Sequence, residues 1–177
     1  MALPNIRGSV AHVFGADFDV DQIVGVENIK IQDLQRLTAL ALERLGPDFV
    51  ARMKPGDVLV AGANFGYGHP HFPAMRALRH LGIRAVIAES FFPNYWRGEI
   101  SNGFPQIACS GITERVQPGD PIEIDFAALR VRLPRHGQLL SFPAFAPSDL
   151  AILEAGGFRP WLAQSIAIEH GQKDPPP

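Results

Sequence analysis

The chain has 177 residues, of which 46% are hydrophobic and 19% are charged, a composition typical of a single globular domain. Its formal net charge of −2 excludes the broad basic surface that recruits nucleic acid or an anionic membrane, so neither is an expected partner. The N-terminal stretch lacks a secretory signal, and no apolar run approaches the ~20 residues that span a bilayer, so we expect a cytoplasmic protein.

The first half of the chain alternates strand and helix signals. Apolar periodicity and Gly or Pro stop signals predict a strand over 10–14, a helix over 31–46, a strand over 58–61, a helix over 73–82 and a strand over 83–90. An acidic turn follows the first strand, and a glycine-rich loop follows the second. This order is that of a strand–loop–helix–strand unit with parallel strands and a right-handed crossover.

The second half changes in character. A helix is predicted over 94–103, a strand over 105–109, hairpins over 117–142, and a helix over 150–155 that Ser148 or Asp149 caps. The combination predicts an α/β fold with a mixed sheet and helices on its faces. We expect one domain over residues 1–169 and a flexible C-terminal tail over 170–177.

The glycine-rich loop, GANFGYGHPHFP over residues 62–73, is the most distinctive segment. Gly66 and Gly68 allow positive φ angles and close approach of a ligand, and the helix after the loop points its N-terminus toward the tip. This geometry favours a carboxylate or a phosphate. The loop lacks the Gly-Lys-Ser/Thr of a nucleotide-binding P-loop and the third glycine of a dinucleotide fingerprint, so a nucleotide site is not expected.

Two histidines stand in the same loop. His69 and His71 offer a general acid or base, an anion contact or metal ligands, and the alternative is that both only hydrogen-bond to the backbone. His-Pro-His lacks third and fourth ligands at metal-binding spacing, so no metal site is predicted. Cys109 is the only cysteine, so this chain cannot supply the several thiolates that hold an iron–sulfur cluster.

Four segments resemble a known family in order and spacing. FGADFDVDQIVG, KPGDVLVAGANFGYG, GIRAVIAESFFPNYWRGEISNGFPQI and LAILEAGGF resemble the small subunit of 3-isopropylmalate dehydratase, the swivel-domain part of the aconitase superfamily. The resemblance implies a three-layer β/β/α swivelling domain that docks on a large subunit carrying a four-iron four-sulfur cluster, as a heterodimer or heterotetramer. It implies a hydro-lyase or isomerase that acts on a small hydroxy acid.

The glycine loop departs from that family's motif, Gly-x-Gly-Ser-Ser-Arg-Glu-His. When the glycines are aligned on Gly66 and Gly68, His69 takes the position of the serine base and His71 that of the arginine. Glu27 falls where many relatives carry arginine in the stretch that sorts substrates. A site without the arginine fork holds a dicarboxylate less firmly, so the substrate is expected to differ from 3-isopropylmalate.

Two main functional hypotheses follow from this resemblance. In the first, the chain is a catalytic subunit in which His69 is the base, His71 binds an anionic substrate group and Asp21 orients polar groups. The other residues expected to bind substrate are Asn64, Gly66, Gly68, Glu27 and Arg97. In the second, the chain is a non-catalytic structural or regulatory subunit with the same fold. A third possibility is an anion-binding or metal-dependent enzyme that works alone.

Overall fold

Strands and helices alternate through the first two thirds of the chain, and antiparallel strands and two helices follow. The computed structural model describes residues 2–41, 43, 46, 49–50 and 53–169. Within them the strands are β1 (Ile6–Phe14), β2 (Val58–Ala61), β3 (Ala85–Ala88), β4 (Gln106–Ala108), β5 (Pro121–Asp125), β6 (Arg130–Leu133) and β7 (Gln138–Ser141). The helices are α1 (Leu34–Leu40), α2 (Phe72–His80), α3 (Pro93–Ser101), α4 (Pro147–Glu154) and α5 (Phe158–Glu169).

The strands form one mixed seven-stranded sheet in the order β4-β3-β2-β1-β5-β6-β7. Strands β1 to β4 pair in parallel, and β5, β6 and β7 pair antiparallel. The two halves share β1: its residues Ile6 to Ser9 pair with β5, and its residues from Val10 onward pair with β2. The predicted mixed sheet is therefore confirmed, and the carboxyl ends of β1, β2 and β3 lie at one edge.

Alternate residues of the short parallel strands enter two separate cores. Leu59 and Ala61 of β2 pack in a cluster with Leu37 of α1 and Leu78 of α2. Val58 and Val60 of the same strand pack instead against apolar residues of the antiparallel strands. The parallel half of the sheet thus lies between the helices on one side and the antiparallel half on the other, which is the expected β/β/α layering.

Most predicted elements are present, with corrections at the helices. Helix α1 spans Leu34–Leu40, within the predicted 31–46. Helix α4 begins at Pro147, and its N-cap is Ala146, which has no side-chain cap, so the prediction of Ser148 or Asp149 as the cap was wrong. Proline sets φ in the first helical turn without a capping side chain. Helix α5 was not predicted, and the predicted tail over 170–177 lies outside the described residues.

None of the described helices is long and apolar enough to span a membrane.

Candidate functional site

Three loops meet at the carboxyl ends of the parallel strands. The side-chain amide of Asn64 donates to Asp17 Oδ1 at 2.7 Å, and the Asn64 backbone N–H donates to Ser90 Oγ at 2.9 Å. Asp17 and Asn64 both adopt positive φ, at 53° and 57°. Such backbone strain in non-glycine residues clusters at functional sites. Asn64 therefore ties the loops after β1, β2 and β3 together, and its side chain is engaged within the protein.

The central feature of this edge is a pair formed by Asp21 and His71. Asp21 Oδ2 lies 2.6 Å from His71 Nδ1, and Asp21 Oδ1 accepts the His71 backbone N–H at 2.9 Å. The Asp21 side chain is 6% exposed, whereas that of His71 is 38% exposed. A buried carboxylate thus holds a partly exposed imidazole by its ring and by its backbone. The two residues are separated by 50 positions in the sequence.

This pairing determines what the imidazole offers to a ligand. With Nδ1–H donating to the carboxylate, Nε2 is the nitrogen available for proton transfer in the neutral ring. A carboxylate in this position also stabilises the imidazolium that forms when Nε2 takes a proton. His71 is the N-cap residue of α2, so the carboxylate of Asp21 lies at the helix N-terminus. The sequence predicted that this helix end binds a carboxylate or a phosphate, and the Asp21 carboxylate already occupies part of that position.

His69 stands beside this pair without sharing the carboxylate. The His69 and His71 rings lie 5.1 Å apart between centroids, with their planes at 59°. Within the described residues His69 is exposed and makes no hydrogen bond or ion pair. Asp21 therefore orients His71, the residue expected to bind substrate, and not His69, the residue expected to be the base.

The two loop glycines have different surroundings. Gly66 has φ +84°, and a Cβ atom there would lie 2.1 Å from Tyr95 Cγ, so the loop backbone packs directly on that ring. Gly68 has φ +95°, and a Cβ atom there would lie 3.6 Å from Asp19 Oδ2, which is ordinary contact. Gly66 is thus required by packing as well as by conformation, and Gly68 by conformation alone.

A cleft of about 260 Å³ opens between the glycine loop and α3. It is lined by Gly68, His69, Pro70, His71, Phe72, Asn94, Tyr95, Gly98 and Glu99. The structure therefore brings together the two histidines and Gly68, as the sequence predicted. Sequence reasoning missed Asn94, Tyr95 and Glu99, although the i, i+4 spacing of Tyr95 and Glu99 in the predicted helix 94–103 places these two on one face.

Glu99 is the least expected member of this lining. It is 3% exposed, and its Oε2 has no hydrogen-bond partner, while Oε1 accepts from the Asn102 side-chain amide at 3.4 Å. Burial raises the pKa of Glu99 to about 7, against the opposing effects of the Arg79 charge and the Asn102 hydrogen bond. A large fraction of this carboxyl group is therefore neutral near pH 7.

Four of the six residues expected to bind substrate are absent from the cleft lining: Asn64, Gly66, Glu27 and Arg97. Arg97 is exposed on α3 and is absent from the lining residues. Glu27 is exposed, and its carboxylate lies against Gly25, where a Cβ atom would be 2.7 Å from Oε1. The assignment of Glu27 and Arg97 to substrate binding therefore stays a prediction.

Glu89, which follows β3, has a structural role. Its carboxylate accepts the backbone N–H of Gly111 at 2.6 Å and both the backbone N–H and hydroxyl of Thr113. Partial burial raises the pKa of Glu89, but these hydrogen bonds outweigh it and lower the pKa overall. The carboxylate thus holds the loop after β4.

The donor set of this chain does not fit an iron–sulfur cluster. Cys109 is buried, and burial, followed by repulsion from Glu89, raises the pKa of its thiol to about 11, so the thiolate that binds iron is disfavoured. No group of three or more His, Cys, Asp or Glu side chains in the described parts of the chain is placed to hold a metal ion.

Comparison with known proteins places these features in a family. A sequence model of the aconitase C-terminal domain matches residues 27–104. The chain is 37% identical, over 92% of its length and 79% of the relative's, to 3-isopropylmalate dehydratase small subunit 2 of Deinococcus radiodurans. It is 34% identical, over 87% of its length and 92% of the relative's, to the isopropylmalate/citramalate isomerase small subunit of Methanocaldococcus jannaschii.

A solved structure has the same fold over almost the whole chain. The crystal structure of 3-isopropylmalate dehydratase (LeuD) from Methanocaldococcus jannaschii matches with a TM-score of 0.86 at 30% sequence identity. The match covers 96% of this chain and 99% of that one. Sequence and fold agree over the same span. The chain therefore belongs to the family of 3-isopropylmalate dehydratase small subunits in the aconitase superfamily.

Proposed function

We propose that the chain is the small subunit of a heteromeric hydro-lyase or isomerase that acts on a small hydroxy acid other than 3-isopropylmalate. The observation that carries this proposal is the Asp21–His71 pair, because a buried carboxylate that orients a partly exposed imidazole is suited to proton transfer. In this proposal the single domain extends over residues 1–169.

The geometry favours exchanging the roles first expected for the two histidines. We assign the base to His71, whose Nε2 accepts the proton from a substrate carbon while Asp21 stabilises the resulting imidazolium. His69, exposed and 5.1 Å away between ring centroids, contacts an anionic group of the substrate. In this proposal His71 removes the proton, and groups of a partner subunit assist the departure of the hydroxyl group.

The charge of the cleft supports an altered substrate. Among the lining residues of the described chain there is no Lys or Arg, so two imidazoles are the groups that can carry positive charge there. A second carboxylate on the substrate is then held less firmly than by a guanidinium fork. Imidazole is a weak base, so it suits a carbon acid activated by a neighbouring ketone or thioester.

The proposed partner is a large subunit that carries a four-iron four-sulfur cluster, in a heterodimer or heterotetramer located in the cytoplasm. Support comes from the family and from this chain's own lack of a suitable thiolate set. Affinity purification from the native cell should yield a brown, iron-containing complex with a second chain. A colourless, active preparation of this chain alone would contradict the proposal.

Replacement of each histidine in that complex tests the assignment of roles. His71→Ala should lower kcat by roughly 10²- to 10⁴-fold, the usual contribution of a general base, whereas His69→Ala should raise KM more than it lowers kcat. Turnover of 3-isopropylmalate by the wild-type complex at about 1 to 10³ s⁻¹ would refute the altered substrate.

A non-catalytic subunit is the second candidate function. The absence of the family's Ser-Ser-Arg sequence from the glycine loop favours it, because His69, Pro70 and His71 stand at those positions. Wild-type turnover in both the His69→Ala and His71→Ala complexes would establish it and exclude the catalytic role.

A further inference from the structure

We propose that Glu99 is a specificity-determining residue of the cleft, whose neutral carboxyl group donates a hydrogen bond to an oxygen atom of the bound organic acid. This inference rests on the proposed function, since it takes the ligand of the cleft to be an organic acid. It concerns a residue that neither the family motif nor the histidine pair involves.

The first support is an unsatisfied polar atom in the cleft wall. Glu99 lies one helical turn after Tyr95 on α3, and both residues line the cleft together with the histidines. Only Oε1 of Glu99 is hydrogen-bonded, to the Asn102 amide at 3.4 Å, while Oε2 is buried without a partner. Buried polar groups nearly always have partners, so the unpaired oxygen of this cleft-lining residue is free to pair with a ligand once the side chain turns toward the cleft.

The charges around Glu99 leave its neutral form accessible. Arg79 of α2 attracts the carboxylate, but none of the ion pairs between described residues joins the two, and Arg79 Nη1 donates instead to the Asn102 carbonyl at 3.2 Å. On α3 itself, Tyr95 faces Glu99, and its hydroxyl is directed to Met75 Sδ at 3.5 Å. Burial outweighs the attraction of Arg79 and raises the pKa of Glu99 to about 7.

These surroundings dictate the ligand chemistry. A neutral carboxyl group donates one hydrogen bond and so suits an acceptor oxygen, whether of a carboxylate, a carbonyl or a hydroxyl group. An ionised Glu99 loses that donor and repels an anionic ligand. The cleft therefore selects a ligand that places an oxygen acceptor against α3 while His69 and His71 hold its anionic group at the glycine loop.

The test is equilibrium binding of 3-isopropylmalate, citramalate and lactate to the complete complex, by calorimetry at pH 6 and pH 8.5. Glu99→Gln stays neutral and keeps a donor at both pH values, and Glu99→Leu removes it. Glu114→Gln, at an exposed glutamate outside the cleft lining, is the control for loss of one charge. The ratio of the Kd of wild type to the Kd of Glu99→Gln, compared between the two pH values, measures the effect of the Glu99 carboxyl group.

We expect that ratio, wild type over Glu99→Gln, to be near 1 at pH 6 and about tenfold at pH 8.5, and Glu99→Leu to weaken binding about tenfold at pH 6. A ratio that does not change with pH would overturn the role of Glu99, whether or not Glu99→Leu folds, while leaving the proposed function intact. A wild-type complex that binds none of the three acids would overturn the ligand assigned to Glu99, while the proposed function is tested separately by the isolation of the iron-containing complex.

Discussion

Three aspartates in one short loop have three different partners. Asp17 accepts the Asn64 side chain, Asp19 accepts the backbone N–H of Asp21 and caps a 3-10 helix over Val20–Ile23, and Asp21 holds His71. The sequence indicated a polar loop at a strand end and singled out Asp21. It could not reveal the partner, because the pairing depends on how two loops 50 positions apart meet above parallel strands.

Asp21→Asn in the complex tests the pair at the residue scale. The amide is nearly isosteric but cannot stabilise an imidazolium as a carboxylate does, so we expect kcat to fall about 10²-fold while the chain stays folded. Steady-state kinetics supply the measurement. Asp19→Asn is the matched control, because Asp19 caps the 3-10 helix and makes no hydrogen bond to the imidazole in the described structure. Equal activity of Asp21→Asn and Asp19→Asn would refute the role of Asp21.

The loop between β2 and α2 shows how far elements could be predicted. The strand 58–61 and the helix from residue 73 were visible as a β-branched apolar run and a helical period, and both are present, with α2 starting one residue earlier. The predicted helix starts were less accurate because α2, α3 and α4 have a proline in their first turn and no capping side chain. The contact of Gly66 with Tyr95 depends on tertiary packing and had no signal in the sequence.

A pair of glycine substitutions separates packing from backbone conformation in this loop. Gly66→Ala places a methyl group within the Tyr95 ring, so we expect the free energy of unfolding to fall by about 3 kcal/mol or more. Gly68→Ala meets no close contact and should cost about 1 kcal/mol for the positive φ alone. Urea denaturation of both variants supplies the comparison. Equal losses of stability would mean that the loop moves away from α3 to admit the methyl group.

At the scale of the whole molecule, hydrophobic alternation identified the fold class but not the stacking of its layers. Each parallel strand is buried on both faces, so its sequence is a continuous apolar run that does not show which residues face helices and which face the antiparallel strands. The three-layer arrangement came from the family resemblance. Glu99 escaped prediction because a single glutamate in a helix is usually exposed to solvent.

The buried carboxyl group of Glu99 should make the stability of the whole chain depend on pH. Its pKa is raised from 4.5 to about 7 on folding, so the folded chain binds this proton more tightly and the contribution is complete below pH 4.5. As the pH rises from 4.5 through 7, the free energy of unfolding falls by up to about 3 kcal/mol. Glu99→Gln does not titrate and should be more stable than wild type at pH 8, with little difference at pH 4.5.

Urea titrations of the full chain at several pH values measure this difference. Glu114→Gln removes one exposed charge and should leave the wild-type dependence unchanged. Parallel curves for wild type and Glu99→Gln would show that the carboxyl group is charged in the folded chain at neutral pH, contrary to expectation.

The position of strand β1 between the two halves of the sheet affects how the molecule unfolds. Its first residues pair with β5 and its last with β2, and its side chains Val10 and Phe14 enter opposite cores. Neither the helical side nor the antiparallel side can open without breaking pairing along this one strand. Melting should accordingly occur in a single step, and the amide protons of β1 should be among the slowest in the chain to exchange with solvent.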